Sequence, residues 1–102
     1  MNVAQKERVV LVGLANSQAE VHVAEESLNE LERLAETAGG EAVARIVQVR
    51  QSPDPATYVG KGKAREIVET AGALGADAII FDDELAPAQG RNLEDLAGVN
   101  PL

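Results

Sequence analysis

The chain has 102 residues, enough for one domain and too few for two of ordinary size. It contains no cysteine, which excludes disulfides, thiolate metal sites and cysteine nucleophiles. Nine basic residues against 17 acidic ones give a net charge of −8, a field that as a whole disfavours nucleic acid and anionic membranes. No apolar run approaches the ~20 residues needed to cross a bilayer, and the start, MNVAQKER, has no signal-peptide core. The expectation is a soluble, cytoplasmic chain.

Residues Arg8 to Leu14 form a continuous Val-rich run, the pattern of a strand covered on both faces as in a parallel sheet. Ser17 with Glu20 three residues later has the form of a capping box and predicts a helix from about Gln18. Val21, Ala24, Leu28, Leu31, Leu34 or Ala35, and Ala38 recur at spacings of three and four along one face of that helix. Gly39-Gly40 ends it. Ala42 to Val49 reads as a second strand. Pro53 and Pro55 then impose a loop. A second helix opens at Gly60-Lys61-Gly62-Lys63, with Ala64, Ile67, Val68, Ala71 and Leu74 facing inward. Ala78 to Phe81 is the clearest buried strand. Pro87 fits the first turn of a third helix, with Leu93, Leu96 and Ala97 inward and Gly98 closing it. The alternation predicts an α/β fold: a small parallel sheet of three to four strands flanked by helices in three layers.

Few residues carry chemistry. His22 is the single histidine and has no nucleophile near it in sequence, so it reads as a helix-surface residue. Asp82-Asp83-Glu84 follows the third strand, where ligands of open α/β sheets gather. The other strand ends supply no further carboxylate, and the run reads as a solvated turn with no metal. Gly60 to Lys63 opens a helix whose free N–H groups suit a phosphate. It is not a Walker A loop, because Ala64 follows Lys63 and no glycine stands five residues before Gly62. The charge distribution says more than the total. The first helix holds six of the glutamates, whereas Arg45, Arg50, Lys61, Lys63 and Arg65 face Asp54 alone, a local +4. Such a loop acts with little interference from acid farther away than a Debye length of about 8 Å. With Tyr58 as a stacking ring, it has the composition of a phosphate- and base-contacting segment.

Pro53-Asp54-Pro55-Ala56-Thr57-Tyr58-Val59-Gly60-Lys61-Gly62-Lys63 is followed by Phe81-Asp82-Asp83-Glu84-Leu85, Pro87, Gln89 and Arg91-Asn92-Leu93. At this spacing the two segments closely resemble the N-terminal domain of the HflX family of GTP-binding proteins. The likeness runs over residues 8 to 99. It implies a ribosome-associated protein of the cytoplasm that binds the large subunit and, in some members, splits stalled or stressed ribosomes. It also implies that a helical hairpin and a GTPase domain, which uses GTP and Mg²⁺, lie outside residues 1–102. On this reading the 102 residues are one non-catalytic subdomain with no cofactor of its own. Its expected partners are large-subunit rRNA, through Arg50, Tyr58, Lys61, Lys63 and Arg65, and the GTPase domain of the same protein. Two departures stand out. The family commonly has Ser or Thr where Ala86 stands, and Asn100-Pro101-Leu102 interrupts the place of a further strand. The second departure leaves a sheet edge through which two copies are expected to pair. The competing readings are a nucleotide-binding or regulatory domain using Gly60 to Lys63 with Asp82-Asp83, and an excised or engineered fragment that forms an oligomer without binding activity.

Overall fold

The computed structural model describes residues 6–98. In chain order they form β1 (Glu7–Ala15), a short 3₁₀ turn (Gln18–Glu20), α1 (Val21–Thr37), β2 (Gly40–Val49), α2 (Lys61–Ala73), β3 (Ala78–Phe81) and α3 (Pro87–Ala97). The three strands make one parallel sheet in the order β2-β1-β3. This is the α/β architecture that the alternation of apolar runs predicts.

β1 is central, and its run of valines and leucine has a simple cause. Val9, Leu11 and α1's Leu28 pack together on one face, against Leu31, Ala35, Ala42, Val47, Ala78 and Ile80. Val10 and Val12 pack on the other, with Tyr58, Val59, Ala64, Ile67 and Leu93. A strand with a helix layer on each side has no solvent face, so it needs no polar alternation. α1 covers one side of the sheet, and α2 with α3 cover the other.

β2 departs from simple alternation through a bulge. Val9 lies opposite Ala42 but Val10 lies opposite Ala44, so Val43 is an extra residue. Val43 and Ala44 consequently share the α2 side of the sheet, and Arg45 is thrown to the α1 side.

Several local expectations are corrected. Ser17 makes no side-chain cap; its carbonyl accepts Glu20 N–H at 3.0 Å, and the resulting 3₁₀ turn delays α1 until Val21. α1 ends at Thr37 through Gly39, which sits at φ +96°. β2 begins at Gly40 rather than Ala42, and a Cβ at Gly40 would lie 3.1 Å from the Ala35 carbonyl oxygen. The strand starts tucked under the helix end, where a side chain would crowd the Ala35 carbonyl. Ala35, not Leu34, faces inward, and Leu74 and Leu96 are exposed rather than buried.

Arg8 joins the two ends of this arrangement. Its guanidinium donates to the Leu74 carbonyl at 2.8 and 3.1 Å, closing the C-terminal end of α2, and its backbone N–H donates to Asp77. β3 pairs with β1 and, among the described residues, with no other strand. The strand interruption expected at Asn100-Pro101-Leu102 lies outside the described residues.

Candidate functional site

The loop between β2 and α2 is a folded unit. Asp54 and Tyr58 exchange backbone hydrogen bonds at 2.8 and 2.9 Å, closing the chain on itself. The Asp54 carboxylate accepts the N–H groups of Ala56 at 2.7 Å and Thr57 at 3.2 Å. Asp54 is an Asx-turn residue held between two prolines. Those two N–H bonds, with that of Ala56 the stronger, and the nearby charges of Arg50 and Lys61 hold its carboxyl below the usual carboxylate range, although burial opposes them. Thr57 is buried and donates its hydroxyl to the Val59 carbonyl at 2.7 Å.

α3 is fastened to this loop. Gln89 is buried, donates to the Asp54 carbonyl at 2.8 Å and accepts Ala86 N–H at 2.8 Å. Asn92 donates to the Ala56 carbonyl at 2.9 Å. At the other end Gln48 accepts Gly60 N–H at 2.9 Å, which fixes the start of α2. The two segments that carry the family resemblance are thus bonded to each other. Sequence reasoning assigned Gln48, Gln89 and Asn92 no role; Gln89 and Asn92 stand in the quoted segments, which was the available signal, whereas Gln48 lies outside them.

Tyr58 is not a stacking platform. It is 4% exposed, packed edge-to-face on Phe81 with ring centroids 5.5 Å apart, and its hydroxyl donates to Asp83 at 3.2 Å. Burial, then the charge and hydrogen bond of Asp83 and the charge of Asp82, push its pKa up to about 12. The ring is buried in the core, so it presents no exposed face to a base.

The basic residues also divide. Arg45 lies against α1, donating to Asn29, Glu32 and the Glu25 carbonyl, and with Glu25 and Glu32 it is neutralised on the far side of the sheet. The local +4 is therefore not one patch. Arg50 bonds the Ser52 carbonyl at 3.1 Å, lies 3.9 Å from Asp54, and rests against Gly60, where a Cβ would stand 2.9 Å from its Nη1. Lys63 pairs with Glu66 at 3.1 Å. Lys61 and Arg65 have no ion pair among the described residues. They stand one turn apart on α2 and line a groove of about 310 Å³ between α2 and α3.

A second, smaller crevice of about 210 Å³ lies where β1 and β3 end, lined by Asn16, Glu20, Ser27 and Asp82 among others. Its neighbour Asp83 has both carboxylate oxygens engaged, by the Tyr58 hydroxyl and by Glu84 N–H. Ala64, where a P-loop needs a hydroxyl on Mg²⁺, is fully buried, and Gly60 N–H is already taken by Gln48. This donor set does not fit a magnesium–nucleotide complex. His22 is exposed, with Nδ1 3.0 Å from the Ala19 carbonyl, as a helix-surface residue would be.

Residues 25–100 match the family model described as GTP-binding GTPase N-terminal. The chain belongs to the N-terminal domain family of the HflX GTPases. It is 48% identical over 89 residues to the GTPase HflX of Lacrimispora saccharolytica, covering 87% of this chain and 21% of that protein. It is 49% identical over 71 residues to the GTPase HflX of Escherichia coli K12, covering 70% of this chain and 17% of that protein. Against the GTPase HflX of Alkalihalophilus pseudofirmus, identity is 43% over 93 residues, covering 91% and 22% respectively. The chain spans about one fifth of the length of these curated HflX relatives. No helix among the described residues is long and apolar enough to cross a membrane.

Proposed function

We propose that residues 1–102 form one non-catalytic subdomain that docks an HflX-like GTPase onto rRNA of the large ribosomal subunit, in the splitting or rescue of ribosomes under stress. In this reading GTP and Mg²⁺ chemistry belongs to the GTPase domain of the same protein, which works in the cytoplasm. The observation that carries it is the pair Lys61 and Arg65, two cations without carboxylate partners on one lip of a groove, held by a loop made rigid by its own hydrogen bonds. Arg50 and Lys63 flank them, each already shared with an acidic neighbour, and contribute less.

Replacing Lys61, Lys63 and Arg65 by Glu in a full-length relative should weaken co-sedimentation with the large subunit and flatten its salt dependence. The same charge reversal at Arg33, exposed on the acidic α1, should leave binding unchanged. Undiminished co-sedimentation of the triple variant would remove the assignment.

A further inference from the structure

Resting on that docking reading, we propose that the groove between α2 and α3 receives one unpaired guanine nucleotide, so that the subdomain reads single-stranded rather than duplex RNA. A contact to phosphates alone would need only the cations Lys61 and Arg65. The groove has more than that. Its volume of about 310 Å³ is at the lower end of small-molecule sites. Its wall includes Leu96, 40% exposed, an apolar surface of the kind that a nucleobase covers. Its third kind of lining residue is Asp95, which works against any ligand that is only an anion.

Asp95 is the informative residue. It stands in the last turn of α3, where the carbonyl end of a helix disfavours a negative charge. It has no cation within ion-pair distance among the described residues. Asp95 is exposed, and Arg91 one turn earlier on α3 does not reach it within ion-pair distance, so among the described residues no side-chain contact of the fold occupies its carboxylate. A carboxylate facing a base accepts two parallel hydrogen bonds from guanine, N1–H and N2–H, and one at most from uracil. Asn92, whose amide nitrogen is occupied by the Ala56 carbonyl, offers its oxygen as a second acceptor. The phosphate of the same nucleotide then falls to Lys61 and Arg65 across the groove. Charge complementarity therefore selects one occupant: anionic at one end and donor-rich at the other.

The test uses this chain and labelled RNA in fluorescence anisotropy: hexauridylate, the same hexamer with one central guanosine, and a hairpin duplex. The guanosine hexamer should bind about fivefold or more tighter than hexauridylate, the lower range for one bidentate base contact. The duplex should bind no better than hexauridylate. Asp95→Ala should erase the guanosine preference without weakening hexauridylate binding, and a melting curve will show that the exposed site leaves the fold intact. Lys61→Ala with Arg65→Ala should weaken both hexamers together. Equal affinity for the two hexamers, a preference that survives Asp95→Ala, or no binding of any RNA would overturn the proposal. The docking reading is separable: if the large subunit still loses the triple charge-reversal variant, docking stands and only the base-reading groove falls.

Discussion

Tyr58 has a left-handed backbone, φ 69°, which disfavours a bulky L-residue by about 1–2 kcal/mol. Three contacts offset that: burial of the ring, the edge-on packing with Phe81, and the bond to Asp83. The geometry explains why its placement was illegible in the sequence. A tyrosine next to glycine and lysines reads as an exposed ring, and nothing in the run Pro53 to Val59 announces a chain reversal that turns it into the core. The same residue gives a pH prediction. Its folded pKa of about 12 lies above the ordinary value of 10, so the folded state keeps a proton that the unfolded chain releases. Its contribution is whole below pH 10 and falls by about 1.4 kcal/mol per unit as pH rises toward 12. Denaturant melts of Tyr58→Phe should show about 1 kcal/mol lower stability at neutral pH and a shallower alkaline decline than the parent. Asp54 acts in the opposite direction. Its depressed pKa gives stability that is present above the ordinary carboxylate value and lost as pH falls through the folded one.

Secondary-structure elements were legible where burial decided them and misread where it stopped. β3 and the span of α3 follow directly from Ala78 to Phe81 and from Pro87 with Gly98, because each has an apolar run or a backbone requirement at both ends. Leu34, Leu74 and Leu96 keep helical spacing yet are exposed, since each lies near or beyond the last turn of its helix, off the inward-facing stripe. Spacing reports a face, not how far the partner surface extends. The start of α3 shows the same limit at the level of one bond. Ala86 has extended backbone angles and no side-chain acceptor, but Gln89 already accepts its N–H, which is one half of a capping box. Ala86→Ser supplies the other half without moving the helix. It should stabilise the chain by about 1 kcal/mol, seen as a rise in melting temperature of roughly 4–8 °C. An unchanged melting temperature would mean that the first turn of α3 is already satisfied by other groups.

At the scale of the molecule, the acidic total conceals two unlike surfaces. α1 holds Glu20's neighbours Glu25, Glu26, Glu30, Glu32 and Glu36 on the far layer, and Arg45 is absorbed there, while Lys61 and Arg65 remain open on the α2 layer. Counting charge along the chain located the cations but not their layer, because the bulge at Val43 that turns Arg45 to α1 has no sequence marker. The sheet edge bears on a second kind of association. β3 is four residues long, unpaired on its outer side among the described residues, and bracketed by Asp77 and by Asp82, Asp83 and Glu84. A short edge flanked by carboxylates resists pairing with its own copy through like-charge repulsion. Self-association through it should therefore be weak at low salt and strengthen as salt screens those carboxylates. RNA binding at Lys61 and Arg65 should weaken under the same change. Sedimentation equilibrium from micromolar to near-millimolar chain, at low and high salt, checks the first; anisotropy with the guanosine hexamer checks the second. Opposite salt responses would assign the two events to opposite electrostatic surfaces of one small domain. A common response would mean that β3 pairing is not governed by its flanking acids.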